Sequence, residues 1–346
     1  MKSNYKEMLN NLSETSDDKN VNDRVMIVDG LNAFIRVFGA VPTLNDDGQH
    51  IGGITGFLLS LGARIRDYNP TRVVLVFDGK GGSAKRKKIF PNYKAGRSGL
   101  TKLNRLAGYE DLEDQSRSMK VQFSTLIEYL QMLPVDVLYI DHVEADDVIA
   151  YAANHIFKKQ VNIVSSDRDF LQLINKRISI WAPTKKRMYT EQSLLDEYGI
   201  SSTNFLLYRV IEGDSGDKIP GVSGIGKKTL LKYFPDFATD KVLTIDTLVN
   251  ELDGLEKPNK AILKIRESVE QMELNDRLMQ LRDPDIGASI KSNIRGILES
   301  PVNRLNTFLF KKQFMIDKLY TAFKNIEYWI GNTWTDLDKY AKTTHK

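Results

Sequence analysis

Val25-Met26-Ile27-Val28-Asp29-Gly30 is a β-branched apolar run that stops at an aspartate. The pattern recurs in Val73-Val74-Leu75-Val76-Phe77, followed by Asp78-Gly79, and in Val161-Asn162-Ile163-Val164, followed by Ser165-Ser166-Asp167-Arg168-Asp169. Weaker runs lie at 134–140 and 178–181. Continuous apolar runs of this length predict strands buried on both faces of a mostly parallel sheet. Between them the apolar spacing becomes helical, with Phe57, Leu58, Leu61 and Ile65 in one stretch and Phe123, Leu126, Ile127 and Leu130 in another. A third helix is expected over 144–157. The alternation predicts an α/β fold, a mostly parallel sheet flanked by helices.

Outside this core the chain changes character. Residues 1–22 are polar, have no apolar stretch of the signal-peptide kind, and read as a flexible leader. Residues 80–118 separate a strand from the next helix and far exceed the usual connection of about 2–6 residues. Between residues 80 and 105 stand nine lysines and arginines and no acid, a charge block of the sort that binds phosphate or simply faces solvent. The acids of residues 110–114 follow. From about residue 190 the pattern is helical, and 240–346 carry little legible chemistry. The expected division is therefore a leader at 1–22, an α/β domain at 23–190 that includes the insertion 80–118, and a helical region at 191–346.

Composition narrows the chemistry. The 346-residue chain has no cysteine, which excludes disulfides, thiolate metal sites and a cysteine nucleophile. Its four histidines, His50, His142, His155 and His345, are scattered. Metal chemistry here must use oxygen ligands, which suit magnesium or manganese. No apolar run reaches the roughly 20 residues needed to span a bilayer, so no membrane association is expected.

Oxygen ligands are abundant at one predicted place. Parallel strands gather ligands at their carboxyl ends, where Asp29, Asp78 and Asp167 all fall. Asp169 follows closely. Glu144-Ala145-Asp146-Asp147 opens a helix after the 134–140 strand, on the same edge. Asp214 and Asp217 could join from the helical half. Each acid has an ordinary structural use, as a turn residue, a helix cap or a first-turn acid. Together they would repel one another without a compensating cation. Two divalent ions about 3.5–4 Å apart supply that charge and clamp the attacking and leaving oxygens of a phosphodiester. On a regular helix Glu144 and Asp146 do not share a face, but at the helix start that rule relaxes. Glu144 and Asp146 are therefore the expected ligands, with Asp147 in an outer position.

Two further segments point to nucleic acid. Phe90-Pro91-Asn92-Tyr93-Lys94-Ala95-Gly96-Arg97 interleaves rings with cations, a pattern suited to stacked bases and a held backbone. Gly221 to Lys227 has the spacing of an NTPase phosphate loop, but Lys228 stands where Ser or Thr is needed and no strand leads in. It reads better as a helix–turn–helix connection whose Gly221, Ser223, Gly224 and Gly226 let backbone N–H groups approach phosphate, aided by Lys227 and Lys228. A Gly-rich helix hairpin without ligand is the plainer alternative.

Three motifs in order, Glu144-Ala145-Asp146-Asp147, Ser165-Ser166-Asp167-Arg168-Asp169-Phe170 and Gly213-Asp214-Ser215-Gly216-Asp217-Lys218-Ile219-Pro220-Gly221, resemble the 5′-nuclease (flap endonuclease) family over residues 25–234. The pattern is most similar to phage-type 5′→3′ exonucleases and phage ribonuclease H. The resemblance implies a PIN-like domain with a helical arch at 80–118 and a helix–three-turn–helix duplex-binding element near 205–234. It implies a first metal group of Asp29, Asp78, Glu144 and Asp146, and a second of Asp167, Asp169, Asp214 and Asp217, with Asp167 bridging. Lys94 and Arg97 would act on the scissile phosphate, with Arg86 and Tyr93 also on the nucleic-acid surface. Two Mg2+, replaceable by Mn2+, and K+ at the duplex-binding turn are the implied cofactors. Implied partners are 5′-flap or junction DNA, RNA–DNA hybrid and a single-strand-binding or other replication protein. A monomer working in the cytoplasm, the host's for a phage protein, is expected. The sequence departs from many relatives at Lys218, where they have asparagine, and in its acidic 110–114 stretch. Other readings of the same residues are a PIN-type single-stranded ribonuclease and a non-catalytic DNA-junction binder.

Overall fold

Each apolar run becomes a strand with both faces covered. The structure is a computed structural model that describes residues 20–96, 104, 108–255 and 258–343. Strands β1 (Arg24–Asp29), β2 (Arg72–Asp78), β3 (Asp136–Ile140), β4 (Gln160–Val164), β5 (Ile178–Ala182) and β6 (Arg187–Tyr189) form one sheet in the order β3-β2-β1-β4-β5-β6. The pairings from β3 through β5 are parallel, and β6 returns antiparallel to β5. The weak runs at 134–140 and 178–181 are thus true strands.

The first helices are α1 (Gly30–Ala40), α2 (Gly52–Tyr68), α3 (Ala84–Ile89), α4 (Leu112–Gln131) and α5 (Ala145–Tyr151). Next come α6 (Glu191–Tyr198), α7 (Phe205–Glu212), α8 (Lys227–Tyr233), α9 (Ile245–Glu251) and α10 (Lys260–Glu267). The chain continues through α11 (Val269–Met279), α12 (Ala288–Glu299), α13 (Thr307–Ile316) and α14 (Ile326–Thr343). Among the described residues no helix is long and apolar enough to cross a membrane.

Strand alternation sorts these helices into two layers. Val25 and Ile27 of β1, with Val74 and Val76 of β2, face a core completed by α5 and by helices from α6 to α12. Met26, Val28, Val73 and Leu75 face the other core, completed by α1, α2, α4 and the late helices α13 and α14. The helical half therefore divides between opposite faces of the sheet. Helix α14 lies on α2 at Gly62, where an added Cβ would stand 2.8 Å from the Trp329 indole nitrogen. Arg66 Nη1 donates to Thr333 Oγ1 at 2.7 Å beside it.

The insertion after β2 is shorter than its sequence suggests. Its basic start forms α3, and the acids of 110–114 open α4: Asp111 accepts the Asp114 N–H at 2.7 Å as N-cap, with Glu113 and Asp114 in the first turn. Acids at a helix N-terminus stabilise it against the macrodipole. The leader through residue 19, and residues 97–103 and 105–107 of the insertion, lie outside the described residues.

Candidate active site

The chain reverses direction across the sheet at β1, with β2 and β3 on one side and β4 and β5 on the other. The crevice between β1 and β4 is the topological switch point of a parallel sheet, where ligands bind. Asp29 ends β1 there and caps α1 by accepting the Asn32 N–H at 3.2 Å. Ser165, just past β4, donates its hydroxyl to Asp29 Oδ2 at 2.8 Å. Asp167 caps the next turn by accepting the Asp169 N–H at 2.8 Å. Asp78, at the end of β2, accepts the Ala145 N–H at 2.9 Å and so ties β2 to the start of α5. Glu144 precedes α5 with extended backbone, φ −71° and ψ 148°, and makes no capping bond of its own. The helical face rule therefore does not govern Glu144, and it can share a site with Asp146.

These acids repel one another. Burial pushes the Asp29 carboxyl up to about 7 against the Ser165 and Asn32 donors, and Asp167 and Asp78 add repulsion. Burial also drives Asp146 well above the carboxylate range, reinforced by Asp167 and Asp29. Asp169 rises to about 7 through burial and the charge of Asp167, with Arg209 opposing. Among the described residues, however, no three His, Cys, Asp or Glu side chains are arranged so that they could hold a metal ion as they stand.

Internal cations hold part of the set. Arg86 of α3 donates to Glu144, and makes a two-pronged pair with Asp147 at 2.7 and 2.8 Å. Its Nε is fixed to the Leu278 carbonyl at 2.8 Å. Lys94 Nζ reaches Glu144 Oε1 at 2.7 Å, and the Tyr93 hydroxyl reaches Glu144 Oε2 at 3.1 Å. Burial works against the Glu144 charge, but Arg86 and Lys94 prevail and hold it below the usual carboxylate range. On the other side, fully buried Arg209 of α7 binds Asp169 at 2.9 Å, Asp214 at 2.6 Å and Glu212. Asp214 also accepts the Gly216 and Asp217 N–H groups at 2.7 and 3.1 Å.

Two expectations need correction. Arg86 does not lie on a nucleic-acid surface; its guanidinium is spent on Glu144, Asp147 and a backbone carbonyl. Tyr93 is not available for base stacking, being 3% exposed with its ring in the core and its hydroxyl on Glu144. Arg97 lies outside the described residues. Arg209 escaped the sequence reading. Its signal was an arginine inside an otherwise apolar helical run, Leu206-Leu207-Tyr208-Arg209-Val210-Ile211, just before Asp214.

The glycine turn has two parts. Gly213 (φ +74°) and Gly221 are structural: a Cβ on Gly221 would fall 2.1 Å from the Glu212 carbonyl oxygen. Asn275 braces this crossing by donating to the Val210 and Pro220 carbonyls, both at 2.8 Å. Ser223, Gly224 and Gly226 are exposed, as is Lys228 in the first turn of α8. Lys227 is turned inward, with Nζ 3.1 Å from the Glu197 carbonyl and over the Tyr198 ring. A cavity of about 500 Å3 lined by His50, Tyr109, Gln122 and Leu319 includes none of these acids. The acids instead lie at the carboxyl edge of the sheet, with Asp29 and Glu144 buried.

Comparison with known proteins agrees with this geometry. Residues 24–199 match the model of the 5′-3′ exonuclease N-terminal, resolvase-like domain. The flap endonuclease Xni of Shewanella sp. strain MR-4 is 32% identical over 262 residues, covering 75% of this chain and 90% of that protein. DNA polymerase I of Geobacillus stearothermophilus is 29% identical over 240 residues, covering 67% of this chain and 25% of that protein. Among solved structures, T5 5′-exonuclease with bound divalent zinc superposes with a TM-score of 0.59 at 20% identity, covering 86% of this chain and 99% of that one. The strand-end acids, the parallel sheet and the extent of these matches lead to one assignment: the chain belongs to the 5′-3′ exonuclease family of nucleases.

Proposed function

We propose that the chain is a structure-specific, two-metal 5′-nuclease that hydrolyses phosphodiesters of 5′-flap DNA and of RNA–DNA hybrid, as in primer removal. One observation carries this reading: carboxylates from β1, β2, α5 and the segment after β4, with Asp29 and Glu144 buried and Asp78 exposed, lie at the carboxyl edge of the sheet and repel one another, with Lys94 paired to Glu144. The donor set fits hard divalent cations, being entirely oxygen and short of positive charge around Asp29, Asp146 and Asp167. Asp29, Asp78, Glu144, Asp146 and Asp167 would hold Mg2+ or Mn2+. When bound, such ions activate water and neutralise charge developing on the phosphoryl oxygens.

The chain's own groups do the rest. Ser165 fixes the Asp29 carboxylate and the Ala145 N–H fixes that of Asp78, and each carboxylate keeps lone pairs that a cation could use. Lys94 stands at the crevice with an ammonium able to meet a phosphate oxygen. Arg97 would serve the same phosphate. Asp169, Asp214 and Asp217 form an outer group, organised by Arg209 for the first two. The exposed backbone of residues 223–226 and Lys228 would track one strand of the duplex, with K+ at that turn, and Lys227 would act by shaping it. A single-strand-binding protein remains a proposed partner.

Cutting of a 5′-labelled flap duplex in Mg2+ tests the assignment. Activity should vanish in EDTA and in Asp167→Asn. Equal cutting without divalent metal, or by Asp167→Asn, would defeat it, and a clear preference for free single-stranded RNA would favour the ribonuclease reading.

A further inference from the structure

Glu144 carries two internal cations, and they are held very differently. Arg86 is anchored at four points: the Leu278 carbonyl, Glu144 and both oxygens of Asp147. Its guanidinium is planar and matches the Asp147 carboxylate in a fork. Lys94 is held by one ammonium–carboxylate contact at 2.7 Å, with its Nζ 4.9 Å from the Tyr93 ring centroid. Its side chain is 20% exposed, so it has a path outward.

The Lys94 backbone is the opposite of loose. Its φ is +54°, a left-handed conformation that non-glycine residues adopt only when neighbours enforce it. The enforcing contact is its own N–H, which donates to the Asp217 carbonyl at 3.0 Å. Residue 94 is thus a fixed post bearing a four-carbon arm. Its charge is set against the Glu144 carboxylate. The arm answers to the total charge of the pocket.

We propose that Lys94 is an exchangeable internal counter-ion. In the metal-free protein it neutralises Glu144. When divalent ions enter, they take over that carboxylate, and the ammonium swings about its fixed backbone to meet the substrate phosphate. Arg86 stays in place throughout and keeps Asp147 and α3 aligned. Loading of the metals and arming of the lysine are then one event, which protects an empty site from engaging phosphate with its lysine. The inference rests on the two-metal reading above and adds to it a competition between a side chain and a metal ion.

Competition has a direction that a simple phosphate-binding role lacks. Removing the lysine should tighten metal binding in the absence of any nucleic acid. The probe is Mn2+ alone, titrated by calorimetry into the full chain, into Lys94→Met and into Lys94→Arg. A charge-assisted contact of this kind is worth about tenfold in an equilibrium constant. Lys94→Met should therefore bind Mn2+ about tenfold more tightly than the unaltered chain, while Lys94→Arg stays within about threefold of it. In EDTA, Lys94→Met should melt at a lower temperature, because Glu144 loses a counter-charge. Mn2+ affinity that is equal or weaker in Lys94→Met, with normal binding in the unaltered chain, overturns the exchange and leaves the two-metal reading intact. Absence of saturable Mn2+ binding in the unaltered chain overturns both.

Discussion

Chelating the protein and then raising the pH should weaken it. Asp29 and Asp169 stand near 7 in the folded chain against 3.8 for an unperturbed aspartate. The native state therefore keeps protons that the unfolded chain has already released between about pH 4 and 7, so stability falls as pH rises through that window. For one such group the loss between pH 5 and 8 is about 2–3 kcal/mol. Two groups that relax and share charge give roughly 3–5 kcal/mol together, or about 4–7 °C for a chain of this size. Buried His50, whose pKa is lowered by burial, works the other way, because it must lose a proton to fold. Its effect is the same with and without metal, so the difference between the two melts isolates the carboxylates. Thermal unfolding in EDTA and in saturating Mg2+, at steps from pH 5 to pH 8, should show the Mg2+ increment growing by those few degrees. An increment that is constant, or largest at pH 5, would refute the claim that burial and mutual repulsion, only partly relieved by Arg209 at Asp169, raise the pKa of these acids.

Asp29→Asn should raise the melting temperature in EDTA at pH 8 by a few degrees and lower flap cleavage by at least about 100-fold, since it removes both a repulsion and a ligand. Arg209→Met should cost about 3 kcal/mol or more in urea unfolding, because three acids lose a buried partner. Gly221→Ala should cost about 1–3 kcal/mol, as its Cβ collides with the Glu212 carbonyl and the crossing must open. Lys228→Ala should weaken binding to a nicked duplex and reduce the slope of log affinity against log salt by about 1. Lys227→Ala, already turned toward Glu197, should leave that slope unchanged in the same anisotropy titration.

Sequence gave direct access to whatever depends on strand direction. An apolar run ending in aspartate places its carboxylate at a known sheet edge once the strands are parallel, and so Asp29, Asp78 and Asp167 could be grouped in advance. The turn at Glu144 was legible for a similar reason, since a helix start frees its first residue from helical spacing. Arg86 and Tyr93 were misplaced because counting cations and rings says nothing about which way a side chain points. Both point inward, drawn by a carboxylate that lies far away in the chain. Arg209 was invisible because the apolar residues around it advertise a core helix, and only the fold reveals three acids waiting inside. The allocation of α6–α12 to one face and α13–α14 to the other left no periodic trace, because either face would accept the same amphipathic pattern.

That allocation has a consequence for biosynthesis. Met26 and Val28 leave the ribosome early, but the Trp329 and Trp334 rings that complete their core emerge only after nearly all the described chain. Until then one side of the sheet is an uncovered apolar floor, with α1, α2 and α4 as partial shelter. A nascent chain stalled before α13 would be expected to recruit holdase chaperones or clump, whereas one stalled before α3 would not yet possess a sheet wide enough to do so.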